Sequence, residues 1–510
     1  MDSQIIFEAS KSGELTCSLK GKYLHSKYNP LAEGEKFAQN LQADFSPLCV
    51  FIIEPALSYC AESVKKKFPG AAVCAIRFSR DFSESDTKWN KVFYLDGEIP
   101  LGEILFNSLG EEKLISSLAF DWTPAKNIFP EESMLAWGEI KKAILKARDV
   151  IGTRSYFSKR WLKNSLVFAS KIQKTLLLEN GDTPIIIAAS GPSLKTSIPF
   201  LKKYRDSFFL IAVSSAFMPL SKNGISPELV ISSDGGYWAK KHLDFSGEEN
   251  AHTVFALEAE SAIPKKLLTQ KEILPLCYDD GLEKDFLDSI GCPYMLSERN
   301  GTVAGTALCF AHSLTEGNIF LCGLDQAPSP SYQHTQPNAL ETDNGKKDFR
   351  LKTAETRMTA SRFNSQASLE IYRNWFISNS EYFSKRVFRL SDNFKYDFSL
   401  GKIREINWND FEKMTGCGLT GCGHTQQNAA NNPKKILFKS VKIKVNGGER
   451  KSKLLETLRK LSQTEKFADE VFPMDSILIK RELSPEKRGE LNSKLTEKTE
   501  KLLKECEKLL

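Results

Sequence analysis

No stretch of this 510-residue chain approaches the ~18 consecutive apolar residues of a membrane span. Apolar runs such as Pro184–Ala189 and Phe208–Val213 are strand-sized. The opening Met1-Asp2-Ser3-Gln4 has no basic cluster leading into an apolar core, so no secretory leader is expected. Repeats of ~20–50 residues and low-complexity tracts are missing, which excludes a solenoid or a fibre. Charge of one sign is also scarce: 70 Lys and Arg face 64 Asp and Glu, a net of +6. The excess sits at one end. From Lys434 to Leu510 there are 20 basic and 13 acidic residues, so the first 433 residues are close to neutral. The body therefore offers no electrostatic footprint for nucleic acid.

What is present is an ordinary globular composition, 41% hydrophobic and 26% charged. The 11 cysteines are odd in number and lie mostly in apolar runs (Cys49, Cys74, Cys309, Cys322). They read as reduced thiols of a cytoplasmic protein. Cys417, Cys422 and His424 have a spacing that fits no common zinc motif and lack a fourth ligand, so no metal site is expected there.

The chain divides into an N-terminal α/β domain (1–125), a helical connector (126–180), a central domain (181–398) and a basic helical region (399–510). In the first, Cys49–Ile53 and Ala71–Phe78 are strands around a helix near 56–67, a βαβ unit. The connector reads as two helices, Pro130–Val150 and about Ser155–Leu178. In the central domain, strands at Ile185–Ala189, Phe208–Val213, Pro227–Ser233, Thr253–Leu257, Ile273–Tyr278 and Asn318–Gly323 alternate with helices. That pattern predicts a Rossmann-like, mostly parallel sheet. Val387–Ser391 reads as its last strand. The final helix is marked by Ser484 at the N-cap and Pro485 at the first position. Leu491, Leu495, Leu502, Cys506 and Leu509 form its apolar seam.

Open α/β sheets bind ligands beyond the carboxyl ends of their strands. Four polar or small-residue segments end strands there: Ser190-Gly191-Pro192-Ser193, Ser214-Ser215, Ser232-Ser233-Asp234 and Gly323-Leu324-Asp325. In the first, Gly191 permits close backbone approach and Pro192 suits the first helical position. The exposed N–H groups with the Ser193 hydroxyl then suit an anion. Asp234 and Asp325 suit a sugar hydroxyl, a base or a metal; the plain alternative is an Asx-turn or helix cap. Gly301-Thr302-Val303-Ala304-Gly305-Thr306 opens a further helix with two hydroxyls. His334, in the loop after Asp325, is a candidate general base. His312 reads as structural, and His25, His242 and His252 carry little signal.

Ile187-Ala-Ala-Ser-Gly-Pro-Ser-Leu resembles the central domain of the Maf proteins, motility-associated factors regarded as flagellin glycosyltransferases. So do Ile211-Ala-Val-Ser-Ser-Ala-Phe-Met-Pro-Leu and Asn223-Gly-Ile-Ser-Pro-Glu-Leu-Val-Ile-Ser-Ser-Asp. Gly301-Thr-Val-Ala-Gly-Thr-Ala, Ile319-Phe-Leu-Cys-Gly-Leu-Asp-Gln-Ala and Tyr372-Arg-Asn-Trp-Phe follow in order. Lys22-Tyr-Leu-His-Ser-Lys-Tyr-Asn-Pro-Leu-Ala-Glu-Gly resembles the flanking domain, so the likeness covers about residues 20–395. The same central domain is similar to an archaeal 6-hydroxymethylpterin diphosphokinase and to a bacterial sialyltransferase family. The resemblance implies that Ser190, Gly191, Pro192, Ser193, Ser215, Asp234, Thr302, Gly305 and Thr306 bind the nucleotide of a CMP-sugar. Asp325 lines the crevice, and His334 is the base. It implies a CMP-nonulosonic acid donor, flagellin as acceptor and no required cofactor. Under the diphosphokinase alternative, ATP and Mg²⁺ replace them, with Asp234 and Asp325 as ligands. A third reading is a non-catalytic flagellin-binding assembly factor. The chain departs from the family at Glu54–Tyr59, where a glycine-rich turn is usual and none is present. No nucleotide site is expected in 1–125.

Overall fold

In the computed structural model, residues 5–97, 99–244, 252–391, 394–416 and 434–510 are described. Cys417, Cys422 and His424 fall outside them. The chain divides into two compact units, residues 1–158 with 464–502, and residues 159–463 with 503–510.

The first unit holds two sheets. β1 (Ile6–Ala9), β2 (Leu15–Leu19) and β3 (Lys22–Tyr23) form an antiparallel ribbon. β4 (Cys49–Ile53), β5 (Ala72–Arg77), β6 (Lys91–Tyr94) and β7 (Ser117–Asp121) form a parallel sheet in the order β6-β5-β4-β7. β4 is fully buried, as a central parallel strand covered on both faces must be. The expected βαβ unit is present, with the helix shortened to Ala61–Lys67. The glycine-less turn after β4 puts Glu54, Ala56 and Ser58 at φ 44°, 43° and 63°. Such left-handed conformations need outside support. It comes from the fully buried Arg77, which donates to the Ala56 carbonyl at 2.7 Å, Ser58 Oγ at 2.8 Å and Glu54 Oε1 at 3.2 Å.

The connector differs from the two-helix reading. One helix runs unbroken from Pro130 to Lys171. Leu176 and Leu178 then lie in a strand, β8 (Lys174–Glu179). Leucine favours helix by propensity. Here a strand partner, β18 (Leu437–Val441), decides otherwise, pairing Phe438 with Leu178 and Ser440 with Leu176.

The second unit is built on a sheet of eleven strands. After β8 come β9 (Ile185–Ala188), β10 (Phe209–Val213), β11 (Leu229–Ser232), β12 (Val254–Glu258), β13 (Glu272–Tyr278), β14 (Met295–Ser297), β15 (Ile319–Cys322), β16 (Val387–Leu390) and β17 (Arg404–Ile406). The order is β17-β16-β15-β9-β10-β11-β12-β13-β8-β18, with β14 also on β13. All neighbours are parallel except β18 on β8. β9, β10, β11, β12 and β15 are buried along their whole length. Val387–Leu390 is not the last strand; β17 and β18 extend the sheet on opposite edges.

From β9 the chain first runs outward through β10 to β13, then returns to place β15 on the other side of β9. That reversal opens the sheet between the loops that follow β9 and β15.

The residues after 433 belong to the body of the protein. β18 is an edge of the large sheet, and Leu454 and Leu458 of the helix Gly447–Leu461 are buried. Ser484 caps the last helix, accepting from Lys487 N at 3.4 Å. Leu502 and Cys506 of its seam are buried, whereas Leu509 is exposed.

Candidate functional site

The loop Ala189–Ser193 leaves β9, and Gly323–Gln326 leaves β15, side by side at the reversal. Ala189 N–H donates to the Cys322 carbonyl at 2.8 Å and Gly191 N–H to the Gly323 carbonyl at 2.7 Å, extending the strand pairing into the loops. A Cβ on Gly191 would lie 2.6 Å from the Gly323 oxygen and 2.7 Å from Asp325 Cγ. The glycine is required for this loop-to-loop approach. Gly323, at φ +68°, is required for the return turn.

Asp325 reaches across to the helix Leu194–Lys203. Its Oδ2 accepts the Ser193 N–H at 3.0 Å and its Oδ1 accepts the Ser193 hydroxyl. The positive end of that helix is thus met by a carboxylate of the protein itself. Burial pushes the Asp325 carboxyl up, while the Ser193 bonds and the Arg389 guanidinium hold it back. Arg389 stacks on Tyr396, 3.6 Å from the ring centroid, and Tyr396 Oη lies 3.4 Å from Ser193 Oγ.

The loop after Asp325 folds back over the first turn. Thr335 N–H donates to the Ser190 carbonyl at 2.7 Å and its hydroxyl to the Gly191 carbonyl at 2.6 Å. His334 is thereby held next to the Ser190-Gly191 turn. Its ring lies 6.2 Å from that of His242, on the helix Tyr237–Leu243. Burial pushes both imidazoles down, His242 to about 4.

Ser190 Oγ and Ser215 Oγ are 2.7 Å apart, and Asn338 Nδ2 donates to the Ser215 carbonyl at 3.2 Å. On the next strand, Thr306 donates to Ser233 Oγ at 3.3 Å. Asn300 Oδ1 accepts Thr302 N–H at 3.2 Å, and a Cβ on Gly305 would lie 2.7 Å from it. Asp234 is exposed and accepts the Gly236 N–H at 2.7 Å, an Asx-type turn that leaves its carboxylate at the surface. Burial, and then the charge of Asp234, raises the phenol of Tyr372 on the helix Ala354–Ser378.

Every residue predicted for the site therefore lies at this one sheet edge. Ser193 and Asp325 are bonded to each other. Ser190 with Ser215, and Ser233 with Thr306, form separate hydroxyl pairs. Sequence reasoning missed His242, Gln326, Thr335, Asn338, Tyr372, Arg389 and Tyr396. One signal existed: Arg389 interrupts the apolar strand Val387-Phe388-Arg389-Leu390. His242 and Thr335 act through a partner distant in sequence and carry no local pattern.

Four buried polar atoms at this edge have no hydrogen-bond partner among the described residues: Ser232 Oγ, His242 Nδ1, Gln326 Oε1 and His334 Nδ1. Native interiors leave few such atoms unspent. Gln326 is also at φ 52°, a strained backbone for a non-glycine residue. Among the described residues, no three His, Cys, Asp or Glu side chains are grouped to hold a metal ion.

Comparison with known proteins agrees with this architecture. Residues 159–330 match the family model described as 6-hydroxymethylpterin diphosphokinase MptE-like. A Treponema pallidum (strain Nichols) protein described as uncharacterized is 30% identical over 315 residues, 61% of this chain and 68% of the relative. A second protein of that organism, also described as uncharacterized, is 28% identical over 117 residues, 22% of this chain and 56% of its own. The solved structure of a Maf glycosyltransferase from Magnetospirillum magneticum AMB-1 superposes with a TM-score of 0.50 at 11% identity, over 99% of this chain and 92% of that one. The chain thus belongs to one family with the 30%-identical Treponema pallidum protein, carries an MptE-like domain, and has the fold of a Maf glycosyltransferase.

Proposed function

We propose that this protein is an inverting glycosyltransferase that moves a nonulosonic acid, a sialic-acid-like nine-carbon sugar, from its CMP carrier to a Ser or Thr of flagellin. The supporting observation is the group of unspent polar atoms at the sheet reversal, Ser232 Oγ, His242 Nδ1, Gln326 Oε1 and His334 Nδ1, on the fold of a Maf glycosyltransferase. The hydroxyls of Ser190, Ser215, Ser233, Thr302 and Thr306 and the carboxylate of Asp234 receive the nucleotide. Gly191, Pro192 and Gly305 shape the turns that present them. Ser193 and Asp325 hold the first turn in place.

In the transfer, the acceptor oxygen attacks the anomeric carbon and the bond from that carbon to the phosphate oxygen breaks. CMP leaves with the electron pair. The acceptor proton passes to His334, whose lowered affinity for protons keeps it neutral and able to accept one near pH 7. The step balances without a further cofactor. A cytoplasmic site of action fits the nine described cysteines, all of which are free. The test is incubation with CMP-pseudaminic or CMP-legionaminic acid and flagellin. A mass increase on flagellin that disappears in Gly191→Trp supports the proposal; no increase with the native chain removes it.

The MptE-like match favours a second reading, a diphosphokinase using ATP and Mg²⁺. It asks Asp234 and Asp325 to bind the metal, and both Asp325 oxygens are bonded to Ser193. Calorimetry with CMP, and with ATP in the presence and absence of Mg²⁺, separates the two.

A further inference from the structure

Away from the reversal, the same sheet edge carries a polar cluster that the reading above does not use. Glu258 ends β12, Tyr278 ends β13 and Ser297 ends β14. Glu258 is fully buried. One of its oxygens is hydrogen-bonded to Ser297 Oγ at 2.6 Å and the other to the Tyr278 hydroxyl. Arg299 lies 4.0 Å over the Tyr278 ring and pairs with Glu260 at 3.4 Å and Asp280 at 3.6 Å. Glu283, itself buried, accepts the Tyr278 N–H at 2.8 Å.

Ser297 and Arg299 open the short loop that runs through Asn300 to Thr302 and into the helix Val303–Leu314. Arg299 ties that loop to Glu260 and Asp280, and Asn300 Nδ2 donates to the Glu298 carbonyl at 3.1 Å within it. β14 is three residues long, and its middle residue, Leu296, is exposed. Asn300 in turn receives the Thr302 N–H, and Thr306 reaches Ser233. A shift of Ser297 is therefore passed to the hydroxyls facing the crevice.

We infer that Glu258 is a positioning residue for the crevice: by bridging Tyr278 and Ser297 its carboxyl sets the place of the 298–302 loop, and with it Thr302 and Thr306. The role of Thr302 and Thr306 as nucleotide contacts rests on the function proposed above; the hold on the loop does not. The electrostatic surroundings agree. Burial, aided by the charge of Glu283, outweighs the bonds to Ser297 and Tyr278 and the charge of Arg299, and pushes the Glu258 carboxyl up to about 8. Glu260 and Glu258 both act on Tyr278, and Glu258 also acts on the buried thiol of Cys277. The bridge is thus made by a neutral carboxyl at pH 7. An opened loop that lets water reach Glu258 returns it to the ordinary carboxylate range and releases its proton. Opening then becomes easier as pH rises from the ordinary value to the folded one, and levels off above it.

Hydrogen exchange of the peptide covering 295–303, corrected for the intrinsic rate, tests this on the full chain. Native protein should lose protection by up to about ten-fold per pH unit between about pH 5 and about pH 8, then level off. Glu258→Gln, a neutral group of the same shape, should remove the slope and keep the protection. Ser297→Ala should lower protection at every pH. The same slope in Glu258→Gln, or no slope in the native chain, overturns the inference. Calorimetry with CMP is the second arm. Glu258→Ala should weaken binding about ten-fold, with Glu258→Gln restoring it. If the exchange results hold and no form binds CMP, the loop-holding role stands and the CMP-sugar reading falls. If CMP binds equally to Glu258→Ala, the positioning role is overturned and the reading stands.

Discussion

Asp325 and Ser193, 132 residues apart in sequence, meet at 3.0 Å where the loops after β15 and β9 run side by side. The carboxylate takes both the backbone N–H and the hydroxyl of Ser193, capping the following helix from a different strand. The link between the two halves of the crevice is therefore a charge-assisted hydrogen bond, of the stronger kind.

Removing that link has a clear cost. Asp325→Ala leaves a buried N–H and hydroxyl without their acceptor and should destabilise the fold by about 1–3 kcal/mol. Asp325→Asn keeps one acceptor and should cost less. Urea unfolding of the two variants checks the order.

Gly191→Ala places a methyl against the Gly323 carbonyl and the Asp325 carboxyl. The two loops must part, at about 1–3 kcal/mol. Thermal unfolding should show the loss, and calorimetry should show weaker CMP binding, since the same turn presents Ser190.

The His242–His334 pair makes stability fall in acid. His242 in the folded chain is pushed down to about 4, below the ordinary imidazole value of ~6.5. The unfolded chain therefore binds a proton that the folded one refuses. Stability is fully present above about pH 6.5 and falls toward pH 4, by up to about 3 kcal/mol. His242→Phe should flatten that slope in denaturation curves taken across this range.

His334→Gln should abolish transfer to flagellin and leave CMP affinity within about three-fold of native, because a lost base affects the chemical step. Thr306→Val, which removes the hydroxyl bonded to Ser233, should do the reverse. It should weaken CMP about three- to ten-fold and leave the turnover of bound donor near native. Binding and single-turnover measurements separate the two.

Deleting residues 434–510 should yield an unfolded or aggregated chain, detected by circular dichroism and size-exclusion chromatography. The deletion strips β18 from β8 and leaves that row of backbone groups unpaired. The basic excess of this region therefore rides on structural elements.

Much of the fold was legible in the chain. Runs such as Ile185–Ala188 and Phe209–Val213 are apolar throughout because parallel strands are covered on both faces, and that alone announced the sheet. The polar residues that end those strands marked the crevice, because ligands collect where a parallel sheet reverses. Local pattern failed where a distant partner decided. Leu176–Leu178 became strand through Phe438, and the strained Glu54–Ser58 turn is held by Arg77.

By itself, then, the sequence determined the alternation of strand and helix and the set of polar loops at one edge. Burial and turn chemistry act over a few neighbouring residues and leave their mark in order along the chain. Only the tertiary structure decided that Asp325 closes on Ser193, that His334 faces His242, and that Glu258 lies buried between Tyr278 and Ser297. Those relationships depend on strand order, and strand order brings together residues that no local spacing connects.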